Sequence, residues 1–89
     1  AMALDNPPEW WGFELELSPH VEDRMIDRGF SEADLRIMME DADGVRIGSR
    51  VGRWVIDTHH LGDAWEVVVE PDERDRVIVA ITAYKVTPW

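Results

Sequence analysis

Within "SPHVEDRMIDRGFSEAD", residues 18–34, three side chains able to handle a proton or an anion recur four apart: His20, Arg24 and Arg28. On a helix that spacing stacks them in one row. An imidazole gives or takes a proton near neutral pH. Two guanidinium groups present planar donor forks that match a phosphate or a carboxylate. The row is suited to acid–base work on an anionic substrate. It also has an ordinary reading, because Asp27 and Glu32 are close enough in sequence to pair with the arginines on a solvated face.

The local sequence builds the helix that such a row needs. Ser18 is a good N-cap, Pro19 fits the first helical position, and Glu22 and Asp23 suit the positive end of the helix dipole. Gly29 supplies a left-handed stop, and Phe30 can make the apolar contact that follows it. This predicts a helix over 19–28, with Val21 and Met25 facing inward. Ser31 caps a second helix, with Asp34 completing a short capping box. Its Leu35, Met38, Met39 and Ala42 form one apolar stripe that reads as core.

Elsewhere the period is two. "FELEL" (13–17) alternates apolar and acidic, and four more strands follow at 45–50, 53–60, 64–70 and 76–86. "LGD" and "PDERD" are of hairpin length. The expected fold is α+β, with two helices on one face of a four- to five-stranded antiparallel sheet. Residues 1–12, with Pro7, Pro8 and Gly12, form a lead-in to one domain over 13–89. Trp10 and Trp11 either fold back onto that body or mark a partner surface.

Strand parity sorts the faces. Trp54, Ile56, Thr58 and His60 share one side with Trp65, Val67 and Val69. The side away from the helices collects Arg53, Asp57, His59, Glu66, Glu70, Thr82 and Tyr84. In the last strand Val77, Val79, Ile81 and Ala83 are set against Ile78, Ala80, Thr82 and Tyr84. His59 and His60 point opposite ways and cannot serve one site through a regular strand.

Composition narrows the function classes. The chain has 89 residues, is 45% hydrophobic and carries five tryptophans, enough for one thin core. It lacks cysteine, so disulfides and thiolate metal sites are excluded. No stretch reads as a signal peptide or reaches the roughly 18 apolar residues of a membrane span. A cytoplasmic setting is expected. The net charge is −10, which argues against a protein that coats nucleic acid. The charge is uneven: residues 44–60 hold three arginines and one acid, a local basic strip on an acidic body.

The run H-x-x-x-R-M-x-x-R-G-F-S, His20 to Ser31, resembles the helix motif of a family of small bacterial domains of unassigned function. Their last strand ends in T-x-Y, matched here by Thr82 and Tyr84. The resemblance covers about residues 15–86 and departs at Phe30, where a smaller aliphatic residue is usual. In layout that family is similar to the RelE, barnase, EndoU and colicin E5 group of ribonuclease folds, many of them bacterial toxins. The resemblance implies a metal-independent ribonuclease working by attack of a 2′-OH on the adjacent phosphate, with no cofactor. In it His20 or His59 would be acid or base, Arg24, Arg28 and Arg53 would hold the phosphate, and Thr82 and Tyr84 would position it. Glu66 is a second candidate base. RNA and an antitoxin-like protein are the implied partners.

Two other functions fit the same residues. A noncatalytic interaction module, immunity-like or regulatory, agrees with the acidic balance and with Trp10, Trp11 and Trp89. A metal site from His20, His59 or His60 with Asp57 or Glu66 lacks any compact ligand spacing such as HExxH.

Overall fold

The computed structural model describes Leu4 and residues 6–86; Trp89 lies outside the described residues. A 3₁₀ turn at Glu9–Gly12 leads into β1 (Glu14–Leu17), α1 (Pro19–Arg28) and α2 (Glu32–Glu40). A meander follows: β2 (Gly44–Ile47), β3 (Trp54–His60), β4 (Asp63–Asp72) and β5 (Val77–Lys85). One open five-stranded sheet runs in the order β1-β5-β4-β3-β2. α1 lies over β5 and α2 over β3, giving an α+β fold.

Both helices begin and end as their sequences dictate. Ser18 Oγ accepts from Val21 N–H at 3.0 Å, and Gly29 stops α1 at φ +69°. Gly29 N–H and Phe30 N–H both donate to Met25 O, at 3.0 and 3.1 Å. Phe30 then buries its ring edge-on against Trp65. The capping box of α2 is reciprocal: Asp34 N–H donates to Ser31 Oγ and Ser31 N–H to Asp34 Oδ2. That hydrogen bond from the Ser31 backbone lowers the Asp34 pKa.

The core lies between the helices and one face of the sheet. Val21, Leu35 and Met38 meet Ile56, Val67 and Val69, all fully buried. Removing a side chain of this kind from water is worth about 1.5–3 kcal/mol. Trp10 of the 3₁₀ turn closes one end of that core, 6% exposed and tilted against Trp54. Thr58 Oγ1 donates to Met38 O at 2.6 Å, tying the last turn of α2 to β3 without leaving a buried hydroxyl unpaired.

Two expectations need correction. The sheet is mixed, not antiparallel throughout, because β1 pairs parallel with β5, Glu14 opposite Val77 through Leu17 opposite Ala80. Apolar–polar alternation specifies faces and is blind to strand direction. The parallel pairing carries on into the start of α1, where Ser18 N–H donates to Ala80 O. The second correction is parity within β5. Val68 stands opposite Thr82 and Val69 opposite Ala80, so Ile81 is an extra, bulged residue. The bulge puts Ile78, Ala80 and Ala83 together in the core. Regular alternation had set the first two with Thr82 and Tyr84.

Strand limits also shift. β2 stops at Ile47, short of the expected 50, and the chain bends at Ser49 and Arg50. β4 extends through Pro71 and Asp72, beyond the start of β3 at Trp54 opposite Val69. At that level, among the described residues, β4 pairs with β5 alone, so a proline is tolerated.

The β3–β4 turn holds Leu61 at φ +51° and Gly62 at φ +85°, the positive pair of a type I′ hairpin. Leucine is poorly suited to that backbone, and its side chain is exposed. Leu61→Asn is expected to raise stability by about 1 kcal/mol, seen as a higher urea midpoint at unchanged slope; a lower midpoint would contradict the turn assignment.

Candidate functional site

The helix row separates along α1. His20 is exposed on the first turn and makes no hydrogen bond among the described residues. Arg24 turns to its own helix and donates to Asp27 Oδ2 at 2.9 Å. Glu32, the other carboxylate in reach by sequence, pairs with Arg36. Arg28 crosses to the sheet: its Nη1 donates to Ala83 O at 2.7 Å and lies 3.5 Å from Thr82 Oγ1. The first is a strong charge-assisted bond and the second a loose contact.

Arg28 can reach β5 because β1 covers only Val77–Ala80. Beyond Ala80 that edge of β5 has no strand partner among the described residues, and α1 packs on β5. Ser18 Oγ donates to Ile81 O at 3.3 Å, using the carbonyl of the bulged residue. The helix is therefore fastened to β5 at both ends. Between Arg28 and the end of β5 lies an open hollow of about 400 Å³, lined by Arg28, Trp65, Tyr84 and Lys85.

On the side of the sheet away from the helices, Asp57, Glu66 and Tyr84 stand in register across β3, β4 and β5. Tyr84 OH donates to Glu66 Oε1 at 2.5 Å. Arg46 donates to Asp57 through Nε and Nη2, at 3.1 and 3.2 Å, and to Glu66 Oε2 at 2.7 Å. Glu66 thus takes one bond from a phenol and one from a cation. The hydrogen bond to Glu66, then burial, raises the Tyr84 pKa, so the phenol keeps its proton. The bond from Arg46 to Asp57 raises the guanidinium pKa in turn.

His59 and Arg53 share this face but stand apart from the Glu66–Tyr84 pair. His59 Nδ1 lies 3.2 Å from Asp43 Oδ2, at the end of β3 where its partner is Ala64. Arg53 Nε donates to Glu70 at 3.3 Å. Of the residues singled out by sequence, the structure brings together Arg28, Thr82 and Tyr84, with Glu66 behind Tyr84. It does not bring His20, Arg24 or His59 to the same place. Among the described residues no three metal-ligating side chains converge, and no helix is long and apolar enough to cross a membrane.

Arg46 was missed by sequence reasoning. Extending the parity of β3 into β2 would have found it, since Arg46 pairs with Val55 and so shares the face of Asp57. No family model, curated protein or solved structure matches the chain. The likeness drawn from the helix motif and the T-x-Y ending rests on those residues alone.

Removing the phenol tests the network. Tyr84→Phe is expected to lower stability by about 1–2 kcal/mol at neutral pH. A raised folded-state pKa makes the contribution whole below the ordinary value of 10.0 and lost as pH climbs through the folded value. Urea titrations of both chains should therefore converge at alkaline pH; a difference independent of pH would refute the Tyr84–Glu66 bond.

Proposed function

We propose that the chain is a metal-independent ribonuclease of the toxin type, cutting RNA at the junction of α1 and β5. The observation that carries this reading is the meeting of the Arg28 guanidinium with Thr82 beside Tyr84, whose hydroxyl is bonded to Glu66. A guanidinium, a phenol hydroxyl and a carboxylate thus lie on one strand end and its neighbours, and the proposed reaction uses them as cation, acid and base.

The chemistry runs as follows. Arg28 and Thr82 bind the non-bridging oxygens of the scissile phosphate, and Arg28 offsets the charge that grows on them in the transition state. The 2′ oxygen attacks phosphorus as its proton passes to the Glu66 carboxylate. The bond from phosphorus to the 5′ oxygen breaks, and that oxygen takes the Tyr84 proton. Glu66, now a carboxylic acid, returns its proton to Tyr84 across their hydrogen bond. The products are a 2′,3′-cyclic phosphate and a 5′-hydroxyl, and the site regains its starting protonation. His20 sits on α1 upstream of Arg28 and contributes to binding the RNA strand rather than to proton transfer. A chain of this kind needs a restraining protein partner, of antitoxin type, and a cytoplasmic setting.

One observation favours the second reading, an acidic interaction module. Arg46 and Arg53 of the basic strip, and Arg24 on α1, each have a carboxylate within 3.3 Å, so much of the local positive charge is neutralised before any RNA arrives. In that reading the net charge of −10 selects a basic protein partner.

Cleavage of end-labelled single-stranded RNA separates the two. The unaltered chain should produce cyclic-phosphate ends, and Glu66→Gln or Arg28→Ala should slow it by about 10²-fold or more with the circular-dichroism spectrum preserved. An unaltered chain that cuts no RNA, or variants that cut as fast as it does, would remove the nuclease reading.

A further inference from the structure

We infer that a second hollow on the open face of the sheet seats one unpaired nucleobase of the RNA, next to the phosphate held at Arg28. This deepens the ribonuclease reading and rests on it. The hollow is about 210 Å³ in volume and is lined by Ser49, Arg50, Arg53, Val55, Val68 and Thr82, among others.

Its floor is apolar where an open sheet face is normally wet. Val55, Val68 and Thr82 form one cross-strand row, Val55 opposite Val68 and Val68 opposite Thr82. Val55 is 7% exposed yet lies outside the core cluster under the helices. The β2–β3 loop, at residues 48–53, walls the hollow on that side. The loop is pinned at its base: Gly48 N–H donates to Arg53 O at 2.8 Å and Arg53 N–H to Arg50 O at 3.1 Å. A side chain at Gly48 would stand 2.9 Å from Arg53 O, so the close approach needs glycine.

A flat apolar floor accepts a base by its face, and the rim suits its edge. Arg50 is exposed and has no ion-pair partner among the described residues. Arg53 holds Glu70 through Nε alone, which leaves its terminal nitrogens to donate. Guanidinium groups stack on bases and donate to their carbonyl oxygens. A donor-rich rim favours guanine or uracil over adenine, whose edge carries an amino group in place of a carbonyl. Thr82 lies on the border, with the hollow on one side and Arg28 on the other. A base in the hollow and its phosphate at Arg28 would thus flank one side chain. Only an unpaired, unstacked base can enter, so the substrate is single-stranded or looped RNA.

The experiment is a methyl-labelled NMR titration of the full chain with guanosine 3′-monophosphate, adenosine 3′-monophosphate and inorganic phosphate. The guanosine nucleotide should shift the methyl signals of Val55, Val68 and Ile81; phosphate alone should leave them unmoved. Val68→Phe, which fills the hollow from its floor, should weaken guanosine nucleotide binding about tenfold or more. The exposed Arg50→Ala should weaken it in a chain whose fold is not at risk. Methyl signals that stay still with guanosine nucleotide, or variants that bind as before, would overturn the base site even if RNA is still cut. Nucleotide seated in the hollow of a chain that cuts no RNA would keep the base site and remove the nuclease instead.

Discussion

The docking of α1 on the free edge of β5 is the constraint on which the site depends. One end is fixed where Ser18 donates to Ala80 O and Ile81 O, the other where Arg28 donates to Ala83 O. These backbone carbonyls would otherwise face outward from an unpaired edge. The helix thus does the work of a sixth strand over that short length, using side chains and one N–H in place of a ladder. Arg28 is held at Thr82 by the same contact, so covering the edge and placing the cation are one act.

The bulge at Ile81 links this edge to the opposite face of the sheet. A regular β5 could not bury Ile78 and Ala80 and still present Thr82 and Tyr84 beside Glu66. One extra residue changes the parity midway, so the lower half of the strand serves the core and the upper half keeps its hydroxyls on the open face. The freed carbonyl at the bulge is the one that Ser18 uses. Packing, capping and presentation of the phenol therefore meet at one irregularity.

This explains what could and could not be read in advance. Helix limits were legible because Ser18, Gly29 and Ser31 are strong local signals whose action spans only a few residues. The faces of β3 and β4 were legible because Ile56, Thr58, Val67 and Val69 alternate without interruption. The direction of β1 was not, since "FELEL" alternates identically either way. The bulge was not, since every residue from Val77 to Ala83 apart from Thr82 is apolar and no polar marker shows where the phase slips. The row His20, Arg24, Arg28 was correctly spaced, but spacing fixes only a shared helix face. The partners of each member were decided by whether a carboxylate or a strand edge stood nearest. Arg24 found Asp27, and Arg28 found β5. On the open face, Arg46 settled between Asp57 and Glu66, which lets three charged groups lie together on a sheet of an acidic protein.

The place of β5 between β1 and β4 has a bearing on synthesis. β5 follows both of its sheet neighbours in the chain. Until it leaves the ribosome, β1 has no partner, α1 has no edge to hold, and β4 has a strand on one side alone. Closing so distant a pairing is slow relative to local hairpin formation. Thr82 and Tyr84 lie on that same strand, so a chain without it lacks both a complete sheet and the groups proposed to act on RNA.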